Sequence, residues 1–143
     1  MASAYTVEQI DKYLEYTNTP SKYHRSASPP KNIDFLTALH VHHISTFPYE
    51  NLSIHYSQDH RITLDPQKLF EKLTVNGRGG YCMESSIFFN HVLRGLGFQV
   101  YTAGVRIRRR DNGVPQGPYI GWSVTNMLLM LIRVYLTSSG YIL

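Results

Sequence analysis

Asn76-Gly77-Arg78-Gly79-Gly80-Tyr81-Cys82-Met83-Glu84 is the stretch whose reading decides the fold. Its three glycines make it a loop. Beyond it, Ile87, Phe88, Val92, Leu93 and Leu96 recur at helical spacing, and Gly95 and Gly97 close that helix. Cys82, the single cysteine of the chain, therefore falls at or near a helix N-terminus. The positive end of a helix favours a thiolate there. A lone cysteine is more often a small buried hydrophobe. The glycine approach and the helix start make Cys82 a candidate nucleophile, one that also needs a base, commonly an oriented histidine.

Upstream, the chain reads as helices. Thr6-Val7-Glu8-Gln9 fits a capping box, and Ile10, Tyr13 and Leu14 share a face, which predicts a helix over 7–17. Residues 18–32 carry Pro20, Pro29 and Pro30 and read as a surface loop. Asn32 can cap a helix over 33–46, with Phe35, Leu36, Leu39, His43 and Phe47 at three- and four-residue spacing and Pro48 after it. Ser53-Ile54-His55-Tyr56 alternates like a short extended piece. Asp65-Pro66 is an N-cap and N1 pair for a third helix over 66–74, with Leu69, Phe70 and Leu73 on its buried face.

Downstream, the pattern changes. Residues 98–108 are rich in β-branched and aromatic side chains and read as a strand. Residues 111–118 read as a loop, and the apolar 124–136 as a second strand. Helices first and strands second give an α+β fold: a helical unit over 1–97 carrying the cysteine, then the start of a β unit over 98–143. Two strands alone do not make an independently stable sheet, and the tail 124–143 is atypical.

Composition narrows the function classes. Over 143 residues, 43% hydrophobic content is enough for a core. A net charge of +4 suits an anionic ligand but is too weak to argue for nucleic acid. One cysteine excludes an intrachain disulfide framework. No signal-peptide pattern opens the chain, and no apolar run approaches the roughly 18 residues needed to span a bilayer, so a reducing cytoplasm is the expected compartment. His40, His42 and His43 suggest a metal cluster at first glance, but His42 points away from the other two on a helix and no cysteine or carboxylate completes a ligand set, so no metal is expected. Arg106, Arg108, Arg109 and Arg110 could grip phosphate; without interleaved aromatics they read better as a solvated strand end. Arg78 is either an anion-binding residue or half of a buried ion pair with Glu50 or Glu84. The ion pair is favoured, because a rigid loop is needed whichever chemistry follows.

Three motifs, in order, resemble the arylamine N-acetyltransferase family. Arg78-Gly79-Gly80-Tyr81-Cys82-Met83-Glu84 matches its active-site signature, Pro48-Tyr49-Glu50-Asn51-Leu52 its aromatic-Glu-Asn-Leu motif, and Leu93-Arg94-Gly95-Leu96-Gly97-Phe98 its helix end. The resemblance covers about residues 5–123 and is strongest to fungal members. It implies a helical first domain with a cysteine-protease-like Cys helix, followed by a β-barrel, here incomplete. It implies a ping-pong reaction in which Cys82 takes an acetyl group from acetyl-CoA as a thioester and passes it to an arylamine or arylhydrazine. Glu50, Arg78, Gly79, Gly80 and Glu84 would support the site. No bound cofactor is implied; acetyl-CoA is a co-substrate.

The departures from the family are as informative. Tyr16 stands where the family often has arginine, and Ser86 where it usually has asparagine. The family's catalytic histidine and aspartate follow the cysteine, whereas here the last histidine is His91 and the last aspartate Asp111. Asn126 stands near the histidine's place, and an amide cannot take a proton from a thiol. His91 lies nine residues along the same helix, too far along its axis to reach Cys82. The segment 124–143, with Arg133 as its one charge, does not match the family and reads as a frameshifted, mis-spliced or truncated end. The expectation is a family member with little or no activity of its own. A non-catalytic binding or regulatory fragment, and an unstable product, are the alternatives.

Overall fold

A computed structural model describes residues 2–105, 108, 110–118 and 127–133. Helix α1 spans Val7–Tyr16. The Thr6 hydroxyl accepts from the Gln9 amide at 3.3 Å, and the Gln9 side chain accepts from the Thr6 amide at 2.9 Å. This reciprocal box satisfies two donors that the first turn otherwise leaves unpaired. Helix α2, Ile33–Thr46, starts where Asn32 Oδ1 accepts from the Phe35 amide at 3.0 Å. Between them lie two short 3₁₀ turns, Ser21–Tyr23 and Arg25–Ala27. Tyr23 stacks flat on Phe35 at 5.0 Å and pins the loop to α2.

The piece expected to be extended is helical instead. Helix α3 spans Leu52–Tyr56. Its sequence alternates like a strand, but its first amide, on Leu52, donates to the Glu50 carboxylate, and Ser53 Oγ accepts from Arg78 at 3.3 Å. Tertiary polar contacts override the local pattern.

Helix α4, Pro66–Phe70, is capped by Asp65, whose carboxylate accepts from the Lys68 amide at 3.0 Å. The third expected helix then widens into a π-turn over Glu71–Val75, closed by Asn76 N–H to Glu71 C=O at 2.9 Å. A π-turn holds one residue more per turn than an α-helix, so it rotates the following side chains off the face that a 3.6 period assigns to them.

Helix α5, Cys82–Gly95, is the axis of the bundle. Phe88 is fully buried, and its ring meets Tyr5, Tyr13, Phe47 and Phe70 at centroid distances of 5.6, 5.7, 5.4 and 6.4 Å. Ile10, Leu14, Leu39, Leu69, Leu73, Val92 and Leu93 complete the core. α5 ends where Gly97 adopts φ +85°, which a side chain at that position would strain.

Strand β1, Gln99–Val105, pairs antiparallel with β4, Met127–Arg133, in the register Gln99↔Arg133 to Val105↔Met127. Both lie against α5. These strands fall inside the ranges expected from sequence; residues 106, 107, 124–126 and 134–136 of those ranges lie outside the described residues. The span read as a loop at 111–118 contains most of a small hairpin, β2 Arg110–Asp111 with β3 Val114–Pro115. Asn112 and Gly113 take φ +48° and +80°, the positive values a tight two-residue hairpin requires. Among the described residues the strands form two separate two-stranded sheets, so of the β-barrel start expected over 98–143 only strand pairs are seen. Among the same residues, no helix is long and apolar enough to cross a membrane.

Candidate active site

The site is assembled where three segments meet: the 48–52 loop, the π-turn and the start of α5. Gly80 N–H donates to the Pro48 carbonyl at 3.2 Å, and Glu50 N–H donates to the Gly80 carbonyl at 3.1 Å. This single parallel bridge aligns Tyr49 with Gly80. Gly79 makes it possible. A Cβ there would sit 1.9 Å from the Pro48 carbonyl oxygen, a rigid backbone atom that cannot yield.

Cys82 opens α5 half-buried, with a free thiol. The Tyr49 ring packs on Tyr81 at 5.6 Å. Its phenol faces Cys82; partial desolvation, and then the neighbouring thiol, hold the phenol above its ordinary pKa. Tyr49 is otherwise exposed, so the cysteine has an aromatic, solvent-accessible approach.

Around the first turn of α5 lies a four-member charge network. Arg78 Nη2 donates to Glu50 Oε1 at 2.9 Å. Of the two partners considered for Arg78, the structure chooses Glu50. Glu84 pairs instead with Lys72, whose Nζ donates to both carboxylate oxygens at 2.9 and 2.8 Å. The same Nζ lies 3.6 Å from Glu50 Oε1. Glu84 is 1% exposed, and its Oε2 also accepts from the Tyr81 amide at 2.9 Å. That bond caps the helix one residue before the thiol. Lys72, Glu84 and Glu50 are largely buried and Arg78 is 41% exposed; the two cations and two anions balance, which makes burying the inner three tolerable.

Six residues singled out from sequence, Cys82, Arg78, Glu50, Gly79, Gly80 and Glu84, thus come together in one place. Lys72 was missed, because it lies outside the motifs that single out the other residues, and a lysine at the edge of a buried helix face ordinarily carries its ammonium to solvent. His43 stands apart from them as a buried core residue. Its Nδ1 meets the Tyr13 hydroxyl at 3.2 Å and its Nε2 the Ser85 hydroxyl at 3.1 Å. Burial, with a smaller contribution from His40, pushes its pKa down to about 3. The remaining histidines are engaged elsewhere: His24 with Thr19, His42 with Thr17, His55 with Asn51, His60 with Ile54, His91 with Ala4, and His40 against the Phe89 ring. Among the described residues, no histidine hydrogen-bonds the Cys82 thiol.

Comparison with known proteins gives the family. An N-acetyltransferase family model matches residues 32–140. The chain belongs to the arylamine N-acetyltransferase family. It is 47% identical over 75 residues to the arylamine N-acetyltransferase of Escherichia coli, a match covering 52% of this chain and 26% of that protein. It is 33% identical over 153 aligned positions to the N-malonyltransferase FDB2 of Fusarium pseudograminearum, covering 96% of this chain and 43% of that protein. Among solved structures it superposes on the Mycobacterium tuberculosis arylamine N-acetyltransferase with a TM-score of 0.65 and 26% identity, covering 91% of this chain and 43% of that one. The chain thus spans less than half the length of these relatives. Relatives whose names record acetyl and malonyl transfer share the family's acyltransferase character.

Proposed function

We propose that this chain is an acyl-accepting unit of an arylamine N-acetyltransferase, with Cys82 as its nucleophile. In the first half-reaction the Cys82 sulfur attacks the thioester carbonyl of acetyl-CoA. The carbon–sulfur bond to CoA breaks, and CoA leaves as its thiol after taking up a proton. In the second, the nitrogen of an arylamine or arylhydrazine attacks the Cys82 thioester, the N–C bond forms, and the cysteine thiol is regenerated. The observation that carries this reading is the position of Cys82 at the start of α5, next to a balanced charge network and beside a bridge that only Gly79 permits.

The chain's own histidines bond to other groups, so Cys82 has no imidazole to take its proton. Loss of the base typically costs triad enzymes several orders of magnitude in rate, and acyl transfer by this chain alone is accordingly slow. A second reading of the donor is favoured by the Fusarium relative, matched along nearly the whole of this chain and named as an N-malonyltransferase: a malonyl group in place of acetyl.

Intact-mass spectrometry after incubation with acetyl-CoA or malonyl-CoA tests both. The expected result is a slowly formed adduct on Cys82, absent from Cys82→Ser, with the faster donor naming the acyl group. Adducts elsewhere, or none on prolonged incubation, would remove Cys82 from the role. Rapid turnover to an acylated arylamine would show that a base is present after all.

A further inference from the structure

Lys72 lies outside the three motifs that carry the family resemblance, yet among the described residues no other cation reaches both acidic members of the network. We propose that Lys72 is a positioning residue that fixes Cys82 by tying the 48–52 loop to the first turn of α5; this rests on Cys82 being the nucleophile. The ammonium is 10% exposed and lies between two carboxylates from different segments, Glu84 at 2.8 Å and Glu50 at 3.6 Å. Its backbone takes part too: the Lys72 carbonyl accepts from the Arg78 amide at 3.1 Å. One residue thus holds the glycine loop through its main chain, and the loop's two acidic partners through its side chain.

Lys72 sits inside the π-turn. Glu71–Val75 accommodates one residue more than an α-turn, and Lys72, Leu73 and Thr74 are all buried within it. On an α-helical period Lys72, three residues after Leu69, stands at the edge of the face that Leu69 and Leu73 bury. π-turns are frequent at functional sites.

Removing the ammonium leaves Glu84 buried with, among the described residues, only the Tyr81 amide at 2.9 Å and the Thr63 amide at 3.5 Å as donors. An uncompensated buried carboxylate either takes a proton or moves toward solvent. Each response alters the Glu84–Tyr81 bond that sets the helix start, and a carboxylate that keeps its charge also makes the neighbourhood of the thiol more negative.

The sole cysteine is the probe. Its rate of alkylation by iodoacetamide is measured against pH on the full chain, beside circular dichroism and a thermal melt. Lys72→Gln is expected to slow alkylation at pH 7 about tenfold and to move its pH midpoint upward by about one unit. Tyr49, the titratable side chain that faces the thiol, is unchanged in every variant. The double variant Lys72→Gln/Glu84→Gln replaces the ion pair with an amide pair that still accepts from Tyr81, and is expected to recover the wild-type rate to within about threefold. A lysine that only adds stability would lower the melting temperature and leave the pH midpoint in place. A folded Lys72→Gln with the wild-type profile overturns the proposal, as does a folded double variant that alkylates as slowly as the single one. If the single variant does not fold, the double decides: a wild-type profile supports the role and a slowed one rejects it. Iodoacetamide needs no CoA donor, so failure of acetyl or malonyl transfer leaves this result standing.

Discussion

The two ends of α5 are held by different physics. Its last three turns sit in an apolar core around Phe88, Val92 and Leu93. Its first turn sits in a network of Lys72, Glu84, Glu50 and Arg78. Apolar packing is non-directional and accepts substitutions that keep volume and shape. The charged end is directional, and removing Lys72 or Glu84 leaves the other buried without its main partner. The core sets whether the helix exists; the network sets where its first residue points.

Truncating the hub of the core should give the largest effect. Phe88→Ala removes a ring that meets four other aromatic residues, and is expected to cost about 4 kcal/mol in urea denaturation. A loss under about 1 kcal/mol would show that the bundle centres elsewhere. At the charged end, Glu84→Leu strands the Lys72 ammonium and is expected to cost about 3 kcal/mol. The comparison sharpens if Lys72→Met/Glu84→Leu recovers most of that loss, as replacing a whole buried pair often does.

Between the two ends, His43 makes the core sensitive to acid. Its pKa falls from an ordinary value near 6.5 to about 3 in the folded chain, so the unfolded chain binds the extra proton between those values. Its stability contribution is intact above about pH 6.5 and declines as pH falls toward 3. Over that window the loss is on the order of 4 kcal/mol. His43→Phe should flatten the decline in melts recorded from pH 7 to pH 4, whatever it does to stability at neutral pH.

Two smaller effects probe the bridge beside the thiol. Gly79→Ala forces the Pro48 carbonyl away and is expected to cost about 2 kcal/mol, with a larger proportional loss in Cys82 alkylation than in stability. Tyr49→Phe removes only the hydroxyl of an exposed ring. Its stability should stay within about 0.5 kcal/mol of the parent, while the alkylation rate changes a few-fold. If Tyr49→Phe instead destabilises as much as Gly79→Ala, the ring belongs to the structural half of the comparison.

The same division explains what could be read in the sequence. The core was legible because Phe35, Leu39 and His43 on α2, and Phe88, Val92 and Leu93 on α5, repeat at the period of an α-helix, and because Thr6, Asn32 and Asp65 mark helix starts. The glycine loop was legible because the motif names its residues in order. Lys72 was not, because a lysine at the edge of the Leu69–Leu73 face ordinarily reaches solvent, and nothing local announces the carboxylates of Glu84 and Glu50 that it meets. α3 was not, because its short alternating sequence favours extension and only Glu50 and Arg78, distant or out of pattern, make it helical. The β2–β3 hairpin was half legible: Asn112-Gly113 announced the turn, but strands of two residues carry no alternation to detect.

The depth of Lys72 gives the chain a clock for its own breathing. The chain has five lysines; Lys12, Lys22, Lys31 and Lys68 are exposed, and Lys72 is buried. An amine-reactive tag applied in pulses to the folded chain would label the four at once and the fifth only when the π-turn parts from the start of α5. The lag at Lys72 therefore reports the frequency of that local opening, separately from global unfolding. It is read by peptide mass alone, with no substrate and no substitution in the chain.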